Sequence, residues 1–337
     1  MLATNLTLFA AAWLGVAAAT ALQEVKPAEP PVQPREVRKV FANGKHNAFT
    51  AFVRFRGELW LAFRSGADHN SGDGDIVVLR SRDAKSWTEA LRLNVEPDDR
   101  DPQFVATERR LFLYDPAMRG PDLTTYVTTT DDGEKWTKPQ PVYEPRFIIW
   151  KPRVHDGRFY SAAHKKDEVS GGKGREVHLV RSDDGLDWKK ISTIRAGNWE
   201  SETTMYFAPN HHATAFLRQK YGSPPAQVLE SDPPYLEWKS RPADVGHFSG
   251  HSVHTFRDVT YLLTRTMDYA KREAGSMIYT FADGKLTPYC RLPAGGDCAY
   301  LEAVEDGDDM LVSYYSSHEG STNVYLAIVP LKTTEGK

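Results

Sequence analysis

Residues 182–188 read SDDGLDW: two acids and a glycine in a polar run that ends on a tryptophan. Asp and Gly supply side-chain-to-backbone hydrogen bonds and positive φ, the ingredients of a tight turn, and a Trp straight after them restarts a buried strand. The phrase recurs. TDDGEKW ends at Trp136, SRDAKSW at Trp87 without the glycine, and SDPPYLEW at Trp238 in degenerate form, so successive tryptophans stand 49, 52 and 50 residues apart.

A second series keeps the same step. Apolar strands each finish on a polar residue: LWLAFR at Arg64, LFLYD at Asp115, FYSAAH at His164, TAFLR at Arg218, YLLTR at Arg265 and LVSYY at Tyr315, at intervals of 51, 49, 54, 47 and 50. Six such repeats, with short alternating strands and no amphipathic helix, predict an all-β fold: a six-bladed β-propeller of four-stranded antiparallel blades. The last strand, VYLAIVPL (324–331), lacks a following partner, and REVRKVFA (35–42) lacks a blade of its own. The N-terminal strand is therefore expected to close the last blade and hide two sheet edges.

Composition sets outer limits. The 337 residues are 40% hydrophobic, enough for a large core, and the formal net charge of -3 gives no reason to expect nucleic acid or an anionic membrane surface as partner. Residues 4–22 are nearly uncharged and end in Ala19-Thr20-Ala21, the pattern of a secretory signal cleaved near Ala21. The expected organisation is a signal peptide at 1–22, a Pro-rich linker at 23–34, the propeller at 35–332 and a short tail at 333–337. The mature chain would be a secreted or periplasmic monomer with no membrane attachment. Cys290 and Cys298 are the two cysteines. Export permits a disulfide between them, but spacing alone leaves it open.

Antiparallel geometry puts the start of each blade's first strand beside the end of its second, at one rim of the channel, with the Asp/Gly turns at the other. Strand starts bring His46, Asn47, Asp101, Lys151, Arg153, Glu200, Glu202, His251, Asp297 and Tyr300 to that rim. Strand ends bring Arg64, Asp115, His164, Arg218, Arg265 and Tyr315. Convergent charged groups at the mouth of a closed β structure mark a binding or catalytic site. His46, His164, His251, Asp101 and Asp115 are metal-ligating types but lack any short His-x-x-His spacing, so neither a metal nor another cofactor is expected.

The repeated turns on a six-bladed frame resemble the Asp-box motifs of the sialidase (neuraminidase) superfamily, over roughly residues 35–332. What the resemblance implies is residue-specific. FRSGADHNSGDGD resembles the segment in which a strand-end Arg, here Arg64, precedes a loop with the acid/base Asp, here Asp68, with Asp73 and Asp75 as alternatives. WESETTMYFAPNHHATAFLR resembles the strand that begins with the glutamate polarising the nucleophile and ends in a substrate-binding arginine: Glu202 (or Glu200) and Arg218. CAYLEAVEDGDDMLVSYYSS resembles the last blade, with Tyr300 as nucleophile. Arg265 or Arg272 would be a further arginine of the triad. KHNAFTAF departs from the family, having His46 and Asn47 where an arginine should stand. One planar cation for the sialic acid carboxylate is thus absent, and the implied substrate is an acidic or sulfated sugar held by Arg218, Arg265, Lys151 and Arg153.

Three functions follow in order: a sialidase-like exo-glycosidase; a non-catalytic propeller that binds a glycan; and a polysaccharide lyase, in which His164, His251 or Tyr300 would abstract a proton beside a neutralised uronate.

Overall fold

The computed structural model describes residues 30–165, 173–219, 225–268 and 271–333. The expected signal peptide, most of the linker and the last four residues lie outside them. Six antiparallel sheets form a ring, and the described residues contain no helix. The blades comprise residues 46–93 (I), 98–142 (II), 147–198 (III), 200–242 (IV), 252–292 (V) and 298–330 (VI). In blades I, IV and V four strands follow one another in chain order. In blades II and III the first strand is broken in two, as Asp98–Asp99 with Gln103–Ala106 and as Phe147–Ile148 with Arg153–His155. Blade VI takes three strands from the end of the chain and its fourth, Glu36–Phe41, from the beginning, with Glu36 opposite Ile328 and Phe41 opposite Val324. The closure expected from the two unpartnered strands is the one observed.

Alternation along each strand builds the ring. In Glu58–Gly66, Leu59, Leu61 and Phe63 face blade VI, while Trp60 and Ala62 face blade II. A strand exposes successive side chains on opposite faces, so a blade apolar on both faces must be sandwiched between two others. Each neighbouring pair of blades accordingly shares a buried apolar cluster.

The turns that revealed the period join the third and fourth strands of blades I, II and III. In each, one Asp oxygen accepts two backbone N–H groups: Asp83 from Lys85 and Ser86, both at 2.8 Å; Asp132 from Glu134 and Lys135, both at 2.8 Å; Asp184 from Leu186 at 2.8 Å and Asp187 at 2.9 Å. The next residue is left-handed, at φ 58° for Ala84, 81° for Gly133 and 77° for Gly185. Gly185 also lies against blade II, where an added Cβ would stand 2.8 Å from the Phe112 ring. Trp188 is buried and its indole N–H donates to the Gly185 carbonyl at 3.2 Å.

One local expectation needs revision. Pro30–Pro34, assigned to the linker, runs along blade V: Pro30 is buried and the Val32 N–H donates to the Tyr289 carbonyl at 3.1 Å. A Pro-rich segment has few N–H groups to satisfy, so it can line an outer strand without a full ladder. Cys290 and Cys298 are both buried, free thiols, and burial pushes the Cys290 thiol up to about 12.

Candidate functional site

The first strands crowd around the channel, and each of the six carries a left-handed residue just before its start, within its first few residues or in the break that divides it: Phe49 (φ 63°), Asp101 (44°), Lys151 (43°), Trp199 (72°), Gly250 (51°) and Tyr300 (55°). In three of them the register also slips, between Ala48 and Ala51, between Glu200 and Thr203 and between Ala299 and Glu302. Such bulges bend a strand and re-aim its side chains. At Gly250 no other residue fits, because a Cβ there would stand 2.6 Å from the Tyr300 backbone nitrogen. The remaining positions place bulky side chains in left-handed backbone, a strain that the surrounding packing must hold.

Above this constriction lies a cavity of about 210 Å³ lined by four arginines, Arg100, Arg175, Arg218 and Arg265, against two carboxylates, Asp101 and Glu202. The guanidinium groups outnumber the carboxylates and give the cavity an excess of positive charge. On its floor the Tyr300 hydroxyl donates to Asp101 Oδ1 at 2.7 Å. Burial, reinforced by the charges of Asp101 and Glu202, pushes the Tyr300 pKa well above that of a free phenol, so the group is neutral at physiological pH. Glu202 behaves oppositely. Burial alone would raise its pKa, but the Arg218 guanidinium and the Gly250 N–H hold it down to about 2. Arg218 Nη1 lies 2.6 Å from Glu202 Oε1, and Gly250 N lies 2.6 Å from Oε2.

At one side, His69 and Asn70 enter from the loop after the second strand of blade I. His69 Nδ1 sits 2.6 Å from Asp297 Oδ2, the same oxygen lies 2.8 Å from His46 Nε2, and Asp297 Oδ1 accepts the Tyr315 hydroxyl at 3.0 Å. Burial opposes ionisation of Asp297, but its bonds to His46 and His69 outweigh that and hold its pKa well below the usual carboxylate range. These three residues are the group of metal-ligating type that comes together among the described residues, with ligand atoms within 4.8 Å of one another. Both imidazoles are engaged on one carboxylate oxygen.

Of the residues expected at this rim, Asp101, His164, Glu202, Arg218, Arg265, Tyr300 and Tyr315 line the cavity. The others have different work. Arg64 is fully buried and clamps the 66–74 loop, donating to Asp98 Oδ1 at 2.8 Å, to the Asp68 carbonyl at 2.8 Å and to the Ser71 carbonyl. Gly66 and Gly74 pack so tightly on that guanidinium that a Cβ would stand 2.6 Å and 2.2 Å from it. Asp68 is exposed, with its carboxylate turned back on the Asn70 N–H at 2.7 Å. Asp73 likewise caps the loop through the Ala67 N–H, and Asp75 bonds Asn94. Glu200, the alternative to Glu202, pairs with Arg195 at 3.2 Å outside the cavity. His251 is buried against the Phe216 carbonyl at 2.7 Å, and burial lowers its pKa to about 4. His46 stands behind Asp297. Lys151 and Arg153 line a separate cavity beneath the constriction.

Arg100, Arg175, His69 and Asn70 belong to the site without having been singled out. Arg100 adjoins Asp101 in the sequence DDRDPQF, a charged run at a strand start that carried the signal. His69 directly follows Asp68, but the direction of a loop side chain has no period to betray it.

No family model matches this sequence, and no curated protein matches it. Solved structures do. A protein of unknown function from Dyadobacter fermentans aligns at TM-score 0.76 and 20% identity, over 90% of this chain and 100% of that one. Trypanosoma rangeli sialidase with the inhibitor DANA aligns at TM-score 0.69 and 13% identity, over 89% of this chain. The chain spans 58% of that sialidase's length. A GH43_1 enzyme from Xanthomonas citri aligns at TM-score 0.51 and 15% identity, over 77% and 94% of the two chains. At such identities the likeness is one of fold: a propeller shared with sialidases and with GH43 glycoside hydrolases.

Proposed function

We propose that this chain is an exo-acting glycoside hydrolase that removes a terminal sugar bearing a carboxylate or sulfate. The observation that carries the reading is the Tyr300–Asp101 hydrogen bond on the floor of an arginine-lined cavity. The size of the cavity, about 210 Å³, suits one sugar ring. Arg218, Arg265 and Arg175 hold the anionic substituent, with Glu202 ionised to keep Arg218 in place. The Tyr300 oxygen attacks the anomeric carbon as its proton passes to Asp101, and the bond to the leaving-group oxygen breaks. A neutral phenol meets less repulsion from an anionic sugar than a carboxylate nucleophile would. We assign the proton for the leaving oxygen to His69, oriented through Nδ1 by Asp297, in place of the exposed Asp68. Water then releases the sugar from Tyr300, with His69 taking its proton and Asp101 returning one to the phenol oxygen.

A screen of the protein against acidic, sulfated and neutral glycans, read by reducing-sugar release and by near-ultraviolet absorbance, tests the reaction class. Hydrolysis is expected, with Tyr300→Phe and Asp101→Asn each losing at least about 10²-fold in kcat while melting unchanged. An unsaturated, absorbing product would assign a lyase, and binding without turnover a glycan-binding module. Full turnover in Tyr300→Phe would refute the nucleophile.

A further inference from the structure

The lower cavity has no part in that reaction. It fills the opposite half of the channel, occupies about 390 Å³, and is reached past Val154, which is 44% exposed. The layer formed by Tyr300 and Lys151 separates it from the upper site, with Lys151 Nζ 5.8 Å from the centre of the Tyr300 ring. Its chemistry is divided. Phe52, Phe104, Val253, Phe256 and Val304 give it apolar walls, and Lys151, Arg153 and His254 gather around Glu302, the one carboxylate among the residues that line it.

That carboxylate is already in use. Lys151 Nζ bonds Glu302 Oε1, and His254 Nε2 lies 2.9 Å from Oε2. Burial alone would raise the pKa of Glu302, but Lys151 and His254 hold it down to about 2, so it carries one negative charge throughout the working range. Arg153 therefore remains as surplus positive charge. Burial lowers its pKa to about 10, which leaves it protonated at neutral pH. Its hydrogen bond within the protein runs from Nη2 to the Val253 carbonyl at 3.1 Å, and its Nε is buried without a partner. A guanidinium has five N–H donors in a planar fork that matches a carboxylate two bonds at a time. One neutral carbonyl leaves that capacity largely unused.

We propose that this lower cavity binds a small organic anion with an apolar body, such as an aromatic or branched-chain carboxylate, its charge on Arg153 and its hydrocarbon among the phenylalanines. The polar end fixes the orientation and the walls supply the contact area, the usual division of labour in a small-molecule site. The site is independent of the hydrolytic reading and stands or falls separately from it.

Calorimetric titration with phenylacetate, and with uncharged phenylacetamide as control, tests the proposal. One phenylacetate is expected in the lower cavity of each chain, phenylacetamide should bind there at least about tenfold more weakly, and Arg153→Gln should cost the anion a similar factor. Arg153→Lys, which keeps the charge and loses the fork, should fall between, and guards against misreading a folding defect. Arg218→Gln, in the upper site, should leave the Arg153-dependent step of the isotherm unchanged. Absence of phenylacetate binding at millimolar concentration, equal binding of the amide, or loss of binding in Arg218→Gln with retention in Arg153→Gln would each overturn it.

Discussion

At the scale of single residues, burial decides which charged groups serve the fold and which serve the site. Arg64 ends a strand at the functional rim yet is spent on holding the 66–74 loop that presents His69. Arg64→Lys keeps a cation but cannot span Asp98 and two loop carbonyls at once, so it should destabilise the protein by about 3 kcal/mol in a denaturant melt. An unchanged melt with weakened substrate binding would instead make Arg64 a ligand residue. Asp115 offers a test with a pH signature. It is fully buried beside Asp99, and burial together with that neighbour's charge pushes its pKa well up. The unfolded chain ionises this group near about pH 3.9, so the native state loses stability as pH rises from there towards the raised folded value. Asp115→Asn removes that penalty and can donate an N–H to Asp99. The mutant should be more stable than the parent above about pH 4, by a margin that vanishes in acid. A mutant less stable than the parent above about pH 4, by a margin that vanishes in acid, would mean that the carboxylate is needed ionised.

Elements explain both what the sequence revealed and what it hid. The turn ending at Trp188 was legible because its chemistry is local: an Asp that accepts two backbone N–H groups and a Gly at φ 77° leave their signature in residue type. Gly185→Ala should therefore cost about 2–4 kcal/mol, from the left-handed backbone and the Phe112 contact together, and a thermal melt matching the parent would contradict the packed-turn account. The bulges were not legible, because tertiary crowding at the channel sets them and only Gly250 among the six left-handed residues is a glycine. Their effect is large. Lys151 and Arg153 share a strand start with the right parity for the upper rim, yet the break between Phe147–Ile148 and Arg153–His155 delivers them to the lower cavity. The slip after Glu200 likewise separates it from Glu202, although strict alternation puts both on one face. The sequence points to Asp68 and not to His69, its neighbour; the loop clamped by Arg64 turns His69 into the cavity, where Asp297 holds it, and leaves Asp68 exposed.

For the molecule as a whole, closing the ring with a strand from the chain's beginning turns six sheets into one frame and aims residues 199 positions apart, Asp101 and Tyr300, at each other. The central claim is that this pair performs nucleophilic chemistry on a sugar. The most direct measurement uses a glycosyl fluoride of the sugar returned by the glycan screen, bearing a second fluorine beside the anomeric carbon to slow release of the intermediate. Mass spectrometry of the digested protein should find the sugar attached to the peptide containing Tyr300, and no adduct in Tyr300→Phe. An adduct on another residue, or unlabelled protein that turns over the parent sugar at full rate, would contradict the account.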